Sequence, residues 1–230
     1  KYGTIKSVTD AKGNGHRFEF DADTKKGEAY SATMTSSGKV EEMWFDYDTG
    51  NIKRIDVNGR TVKTVEVEGR THTVTDGKGR VTEKQYDEWD NLTKVVYPDG
   101  TSVSFEYDLR FNKVSKIIDP LGGETVFTYD DTGNPVKKVE AAGTDAERVS
   151  TFRYNSHNRL ATATIQGDAG DITTSFSYDA AGNLATITDP EGNTTRFAEY
   201  DNMGNLLRMI DPAGNEWTFA YDAMGRVVSK

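Results

Sequence analysis

Along much of the chain, apolar and polar residues alternate with a period of two. Trp217, Phe219 and Tyr221 alternate with Thr218 and Ala220, and Val103, Phe105 and Tyr107 with Ser102, Ser104 and Glu106. Successive side chains of an extended strand point to opposite faces, so these runs predict short strands with one aromatic face and one small or polar face. After the next turn the apolar positions come in pairs three apart: Leu92 and Val95, Val114 and Ile117, Val136 and Val139, Leu184 and Ile187. That spacing breaks alternation, yet the segments are too short and too rich in Thr and Lys to make helices. They predict return strands that are twisted or kinked. The run TTRFAEY at 194–200 departs in another way. Asp189 and Tyr200 stand 11 apart instead of the 10 that separate Asp211 from Tyr221, and Phe197 falls out of phase. One residue too many in a strand predicts a β-bulge.

The strands are separated by turn signals that repeat. YDDTGN at 129–134, YDAAGN at 178–183, YDNMGN at 200–205 and YDAMGR at 221–226 are versions of one string. With the tyrosine as anchor, the series Tyr86, Tyr107, Tyr129, Tyr154, Tyr178, Tyr200 and Tyr221 is spaced by 21, 22, 25, 24, 22 and 21 residues. Upstream, VEVEGR at 65–70 carries Val65 in the tyrosine slot, FDYDTGN at 45–51 is another copy, and FEFD at 18–21 is a worn one. Ten residues before an anchor stands a second mark, DPLG at 119–122, DPAG at 211–214, DGKG at 76–79 or DAKG at 10–13. Asp bonds the turn backbone, Pro presets φ, and Gly supplies a positive φ at Gly133, Gly182, Gly204 and Gly225. A period of about 22 residues marks stacked supersecondary units. Each unit reads strand, turn, strand, turn, which predicts an all-β fold of tandem hairpins in one continuous antiparallel sheet. The array spans residues 1–230, degenerate over 1–85 and regular over 86–230. One hairpin is marginal alone, so stacking must bury the aromatic ladder. Each ring can remove roughly 150–250 Å² from water.

Composition agrees with a thin body. The hydrophobic fraction is 35%, below the roughly 45–50% of a compact domain. Mean hydropathy is −0.70, but 11 Tyr, 10 Phe and 3 Trp are the opposite of a disordered composition. A net charge of −9 without a basic block disfavours nucleic acid and anionic membrane surfaces. No apolar run approaches the ~18 residues of a membrane span, and no secretory leader is visible. The absence of cysteine removes thiol catalysis, disulfides and thiolate metal sites together. The chain begins at Lys1 without a methionine, and reads as a piece of something longer.

Candidate chemistry is sparse. The acid pairs Asp21/Asp23, Asp46/Asp48 and Asp130/Asp131 could ligate calcium or exchange protons. Turn acids do their work without an ion, and no DxDxDG loop occurs, so these are read as structural, with Asp46 and Asp48 the best calcium position. His16, His72 and His157 stand far apart and outside any metal-binding spacing. No GxSxG elbow occurs, Ser36-Ser37-Gly38 reads as a hairpin tip, and the glycines at 13–15 form no phosphate cradle. No catalytic residue, metal or cofactor is expected. Exposed aromatics can stack on sugars, which singles out Trp44, Trp89 and Trp217. Trp89, in place of a small residue of YDEWDN at 86–91, is the candidate glycan contact.

Tandem YDxxGN/R strings 20-odd residues apart, with DPxGN between them, resemble the RHS/YD-repeat family. That family includes Rhs polymorphic toxins, cocoon components of insecticidal Tc toxin complexes, wall-associated bacterial toxins and teneurin adhesion receptors. The resemblance covers about residues 10 to 226, most specifically from Tyr86 onward. It implies a spiralling antiparallel sheet, here an arc of a hollow shell, with the anchor tyrosines in packing roles and Gly133, Gly182, Gly204 and Gly225 in turns. It also implies a secreted or cell-surface setting, and as partners the rest of a parent polypeptide and an enclosed C-terminal toxin or effector. DPLGG at 119–123 faintly echoes the family's self-cleavage motif, but three to four more repeats follow it, so it reads as an ordinary turn. The expected function is therefore a wall segment that encloses a toxic polypeptide. The alternatives are a surface adhesion or carbohydrate-binding module and a hydrolase or nuclease. Free sheet edges at the two ends predict edge-to-edge self-association.

Overall fold

The computed structural model describes residues 7–9, 15–23, 28–34, 40–46 and 49–229, with side chains described for 41–46 and 49–229. Among these residues there are strands and turns and no helix. The chain divides into two compact units, Lys1–Phe105 and Glu106–Lys230.

In the first unit each strand pairs antiparallel with the next in sequence, from Ser7–Thr9 and Gly15–Asp23 through Glu28–Met34, Val40–Asp46, Ile52–Val57 and Arg60–Glu68. The series continues through Thr71–Asp76, Val81–Tyr86 and Leu92–Val96. The second unit repeats the scheme from Lys113–Ile118 and Glu124–Tyr129 through Pro135–Glu140, Arg148–Tyr154, Leu160–Ile165 and Ile172–Tyr178. Leu184–Thr188, Thr194–Tyr200, Leu206–Ile210 and Glu216–Thr218 follow, then the short hairpin of Ala220–Tyr221 with Val227–Ser229. The strand–turn–strand–turn unit expected from the sequence is the one observed.

A register slip at the tyrosines explains the broken alternation of the return strands. Tyr178 pairs with Leu184 while Ser177 pairs with Thr186, leaving Ala185 without a partner. Thr93, Val136, Ala161 and Val228 are the extra residues beside Tyr86, Tyr129, Tyr154 and Tyr221. One extra residue flips the phase. Leu184 and Ile187, three apart, therefore land on one face, opposite Tyr178 and Phe176. Val136 is itself the extra residue, so its spacing from Val139 has a different origin. The expected bulge also lies where the count placed it: Phe197 pairs with Met209 and Glu199 with Arg208, and Ala198 is the residue left over.

Over residues 160–194 of the second unit the sheet has an aromatic face and a hydroxyl face. Phe176 and Tyr178 lie on the first, whereas Ser177 bonds Thr186 at 2.7 Å, Thr188 bonds Thr194 at 2.9 Å and Thr164 bonds Thr173 at 2.9 Å on the second. Little is fully covered: Val95, Asp56, Ser150 and Gly133 are the buried positions among the described residues. Stability in such a body comes from many half-buried rings and a continuous hydrogen-bond ladder rather than from a thick core.

Two tips depart from the repeat frame. Val65 does not close a strand. It pairs with Val74 inside Arg60–Glu68, which runs on to a two-residue turn with Glu68 opposite Thr71. The string at 65–70 has Glu66 where Asp would open the wider turn, so the hairpin tightens instead. The preceding tip is also two residues long, Asn58 and Gly59 with φ of 51° and 73°, the conformation hairpins favour. The turn expected at 10–13, the tip Ser36-Ser37-Gly38, Asp48, and the side chains of His16, Phe20, Asp21 and Asp23 lie outside the described residues.

Candidate functional site

The residue after the tyrosine builds each tip, an aspartate in most and Asn155 after Tyr154. Asp130 donates its N–H to the Asn134 carbonyl at 2.9 Å and accepts the Gly133 N–H at 3.1 Å. Its Oδ1 accepts the N–H groups of Thr132 and Asn134, and its Oδ2 accepts the Asn134 amide. The same net recurs at Asp179–Asn183 and Asp201–Asn205, and on the opposite tips at Asp189–Asn193 and Asp211–Asn215. The fourth position needs a positive φ, which Gly133, Gly182, Gly204 and Gly225 adopt at 83°, 94°, 82° and 74°. Asp90 and Asn158 take it at 62° and 56°, as short polar side chains can.

From Tyr129 onward the tyrosines tie each hairpin to the one before it. Tyr154 donates its hydroxyl to the Pro135 carbonyl at 2.9 Å, Tyr178 to Leu160 at 2.9 Å, Tyr200 to Leu184 at 2.7 Å and Tyr221 to Leu206 at 3.0 Å. Pro135, Leu160, Leu184 and Leu206 are the strand partners of Tyr129, Tyr154, Tyr178 and Tyr200. Tyrosine and acceptor therefore alternate from Tyr129 to Tyr221 in one chain of contacts. Tyr129 itself donates to Val114 at 2.6 Å. The acceptor there falls one place later because the turn after Tyr107, opened by Asp108 and carrying Asn112 at φ 52°, is one residue longer. Tyr107 is half-buried at the end of Ser102–Asp108. Tyr86 packs on His72, ring centroids 4.7 Å apart.

Consecutive tips are also packed against each other. Lys113 Nζ donates to the Gly133 carbonyl at 2.6 Å, and the Asn134 amide reaches Asn158 Oδ1 at 3.4 Å. A Cβ at Gly133 would stand 3.0 Å from the Phe111 ring, and one at Gly182 would run into the Arg159 guanidinium, which lies over the Tyr178 ring. At Gly204 and Gly225 the nearest atom is the side-chain oxygen of the previous tip's asparagine, 4.0 Å away.

The electrostatics follow this geometry. Burial, and next the Asp108 charge, raises the Tyr129 phenol above its ordinary value. Burial with Asp130 does the same to Tyr154, and burial with Asp179 to Tyr200. The raising charge is in each case the aspartate of the preceding tip. Asp130 is pushed up by desolvation, but its bonds from Thr132 and Asn134 outweigh that and hold it at about 2. Asp76 is held at about 2 by the Arg80 side chain and the Arg80 and Lys78 N–H groups. These acids are committed to donors inside their own turns, which leaves them poor proton carriers.

The RHS Repeat pattern matches residues 67–102, 86–115, 165–194, 178–216 and 200–230, together half of the chain. The chain belongs to the RHS-repeat family. No curated protein matches it. Its fold is similar to part of the crystal structure of TcdB2-TccC3 without the hypervariable C-terminal region, with a TM-score of 0.57 at 14% identity over 88% of this chain. A second crystal structure, TcdB2-TccC3-TEV, has a TM-score of 0.49 at 15% identity over 98% of this chain. The chain spans 13% and 15% of the lengths of those two. It is thus a structural segment of RHS-repeat sheet.

The remaining candidate residues lie at RHS-repeat tips and in their strands. Trp89 stands at the third position of its tip, 55% exposed, with its N–H on Asp87 Oδ1. Met203 and Met224 occupy the same position two tips in a row and are more exposed still, at 79% and 80%. Alternation could not flag them, since turn residues belong to neither face. Trp217 is part-exposed in its strand, and His157 sits at a tip with its N–H on Asn155. Asp131 points outward and meets Arg110 at 3.8 Å. Asp46 accepts the N–H and hydroxyl of Thr49 and pairs with Lys53 at 3.5 Å. Among the described residues no three His, Cys, Asp or Glu side chains are grouped to hold a metal ion.

Proposed function

We propose that this segment is wall in an RHS shell whose work is to enclose a toxin or effector polypeptide, by physical containment rather than by chemistry. The observation that carries the reading is the chain of tyrosine hydroxyls from Tyr129 to Tyr221, each bonded to the hairpin before it. A sheet stapled in this way grows by adding hairpins and needs no second layer behind it. Both faces are then left for solvent or cargo. The hydroxyls of Ser177 and Thr186, of Thr188 and Thr194, and of Thr164 and Thr173 are bonded to each other. Turned inward, such a face offers an unfolded chain few apolar anchors and few free donors. The partners in this reading are the remainder of the parent polypeptide and the segment it encloses, in a protein exported from the cell. Its glycines and tyrosines at the tips act as anchors of the wall.

Limited proteolysis of the full-length natural protein tests containment. The enclosed segment should resist digestion while the wall is intact, and become as sensitive as an unfolded chain once denaturant opens it. Equal sensitivity in both states would remove the containment reading.

A further inference from the structure

Most cations of the second unit are already occupied. Arg110, Lys116, Lys138, Arg148, Arg208 and Arg226 each lie against a carboxylate. Lys113 donates to the Gly133 carbonyl, and Arg159 covers the Tyr178 ring. Lys137, Arg153 and Arg196 are the exceptions: all three are exposed, and none meets an acid, an acceptor or a ring among the described residues. The pairing puts them on one face of the sheet. Lys137 stands opposite Thr128 and Thr151, Arg153 opposite Thr162, and Arg196 opposite Thr186. Opposite charges across a ladder attract, yet here each cation faces a hydroxyl. From Lys137 to Arg196 no strand position on this face carries a carboxylate, and the acids at its margins, Glu124 and Glu199, are bonded to Lys116 and Arg208.

The spacing of these charges narrows what they can hold. Arg153 and Arg196 lie four strands apart, about 19 Å along the sheet at ~4.8 Å per strand, and Lys137 lies one strand beyond Arg153. Between the two arginines run Thr162, Ser175, Thr188 and Thr194 in one row. A trough of about 560 Å³ opens beside Arg153, lined also by Thr151, Thr162, Thr164, Thr173 and Gln166, with Asp171 as its one acid. Each bonded hydroxyl pair, such as Ser177 with Thr186, uses one proton and keeps the other. The face is thus two cationic poles joined by a neutral bed of donors. A phosphodiester chain carries a charge on every unit and would lay several of them over uncharged hydroxyls, on a protein of net charge −9. A peptide crosses about 19 Å with roughly six residues at ~3.3 Å each. It needs acids only at the two poles.

We propose that this face docks an extended acidic peptide segment laid across the strands. One carboxylate meets Arg153 with Lys137 beside it, and a second, about six residues along, meets Arg196. Guanidinium groups pair with carboxylates through two parallel hydrogen bonds, which fixes the ends of the segment. The carbonyls between them accept the hydroxyl protons left over by the threonines and serines. The docking is independent of containment, since a wall can carry this face on either side.

The test is amide NMR of the whole chain, titrated with a peptide that bears two glutamates at each end of a five-residue Gly-Ser spacer. We expect saturable shifts centred on residues 137–196, with Kd of about 1 mM or tighter at low salt, weakening as added salt screens the charges. The same peptide with glutamine for glutamate should be silent. Arg153→Gln with Arg196→Gln, both at exposed positions, should abolish binding with unchanged circular dichroism. Lys138→Gln with Arg148→Gln takes the same charge from the opposite face and should leave binding in place. No saturation by the acidic peptide overturns the proposal. So does binding that survives the first pair of substitutions or is lost equally in the second, and so does an oligothymidylate that binds as tightly as the peptide.

Discussion

The hydroxyl of Tyr178 sits 2.9 Å from the carbonyl of Leu160, the residue that pairs with the previous anchor, Tyr154. A side chain at the end of one hairpin thereby reads the register of the hairpin before it. The bulge at Ala161 is what makes the fit, because it lets Leu160 pair with Tyr154 out of step with the rest of the ladder.

Removing that one hydroxyl should loosen the joint without breaking the fold. Tyr178→Phe keeps the ring and forfeits a single hydrogen bond of about 0.5–1.5 kcal/mol. Chemical denaturation should show a loss of that size, and Tyr178→Leu a larger one through lost ring burial. A Phe variant as stable as the parent would mean that the hydroxyl bond contributes nothing net.

The tip glycines should not be equivalent. Any side chain at Gly204 meets only the cost of a left-handed backbone, about 1–2 kcal/mol, because the nearest atom to a Cβ is 4.0 Å away. Gly133→Ala adds a contact 3.0 Å from the Phe111 ring at a buried position. Thermal melts should rank Gly133→Ala below Gly204→Ala, with Gly133→Ala in a Phe111→Ala background recovering part of the difference.

The turn aspartates predict acid sensitivity. Asp76 and Asp130 have folded values of about 2, below those of the unfolded chain. Their stabilisation is therefore complete above about pH 4 and is lost as the pH falls toward 2. Melting temperature should be flat above pH 5 and fall below pH 4, and Asp130→Asn should flatten part of that fall.

The phenols predict the opposite limb. Tyr129, Tyr154 and Tyr200 have raised folded values, so the unfolded chain releases its phenol protons first. Stability is whole below about pH 10 and declines as the pH rises through the folded values. Phenolate absorbance should rise together with loss of strand signal. Ionisation of these tyrosines with the sheet intact would contradict the staple.

Much of this was legible from residue order, because repetition averages out local ambiguity. The tyrosine spacing gave the hairpin unit, Asp and Gly gave the tips, and the surplus residue between Asp189 and Tyr200 placed a bulge in 194–200, where the structure has it at Ala198. The slips beside each tyrosine left only an indirect trace, the pairs three apart, since a bulge changes phase without changing composition. The first unit was harder. Val65 fits the repeat count yet lies inside a strand, because tip geometry is set by whether an Asp is present to open it and not by the interval. Asn58-Gly59 is a strong two-residue hairpin signal that the 22-residue frame passes over. The row of Trp44, Arg54 and Thr64 depends on which residues face each other across three strands, and register is a property of pairing that no single segment carries.

Amide hydrogen exchange of the parent and the Tyr178→Phe chain tests the central claim, that tyrosines couple neighbouring hairpins into one sheet. Faster exchange is expected both in 172–188, which bears the substitution, and in 148–165, which holds the acceptor, with 216–229 unchanged as nearest-neighbour coupling requires. Acceleration confined to 172–188 would show hairpins that merely lie beside one another, and the account would fail.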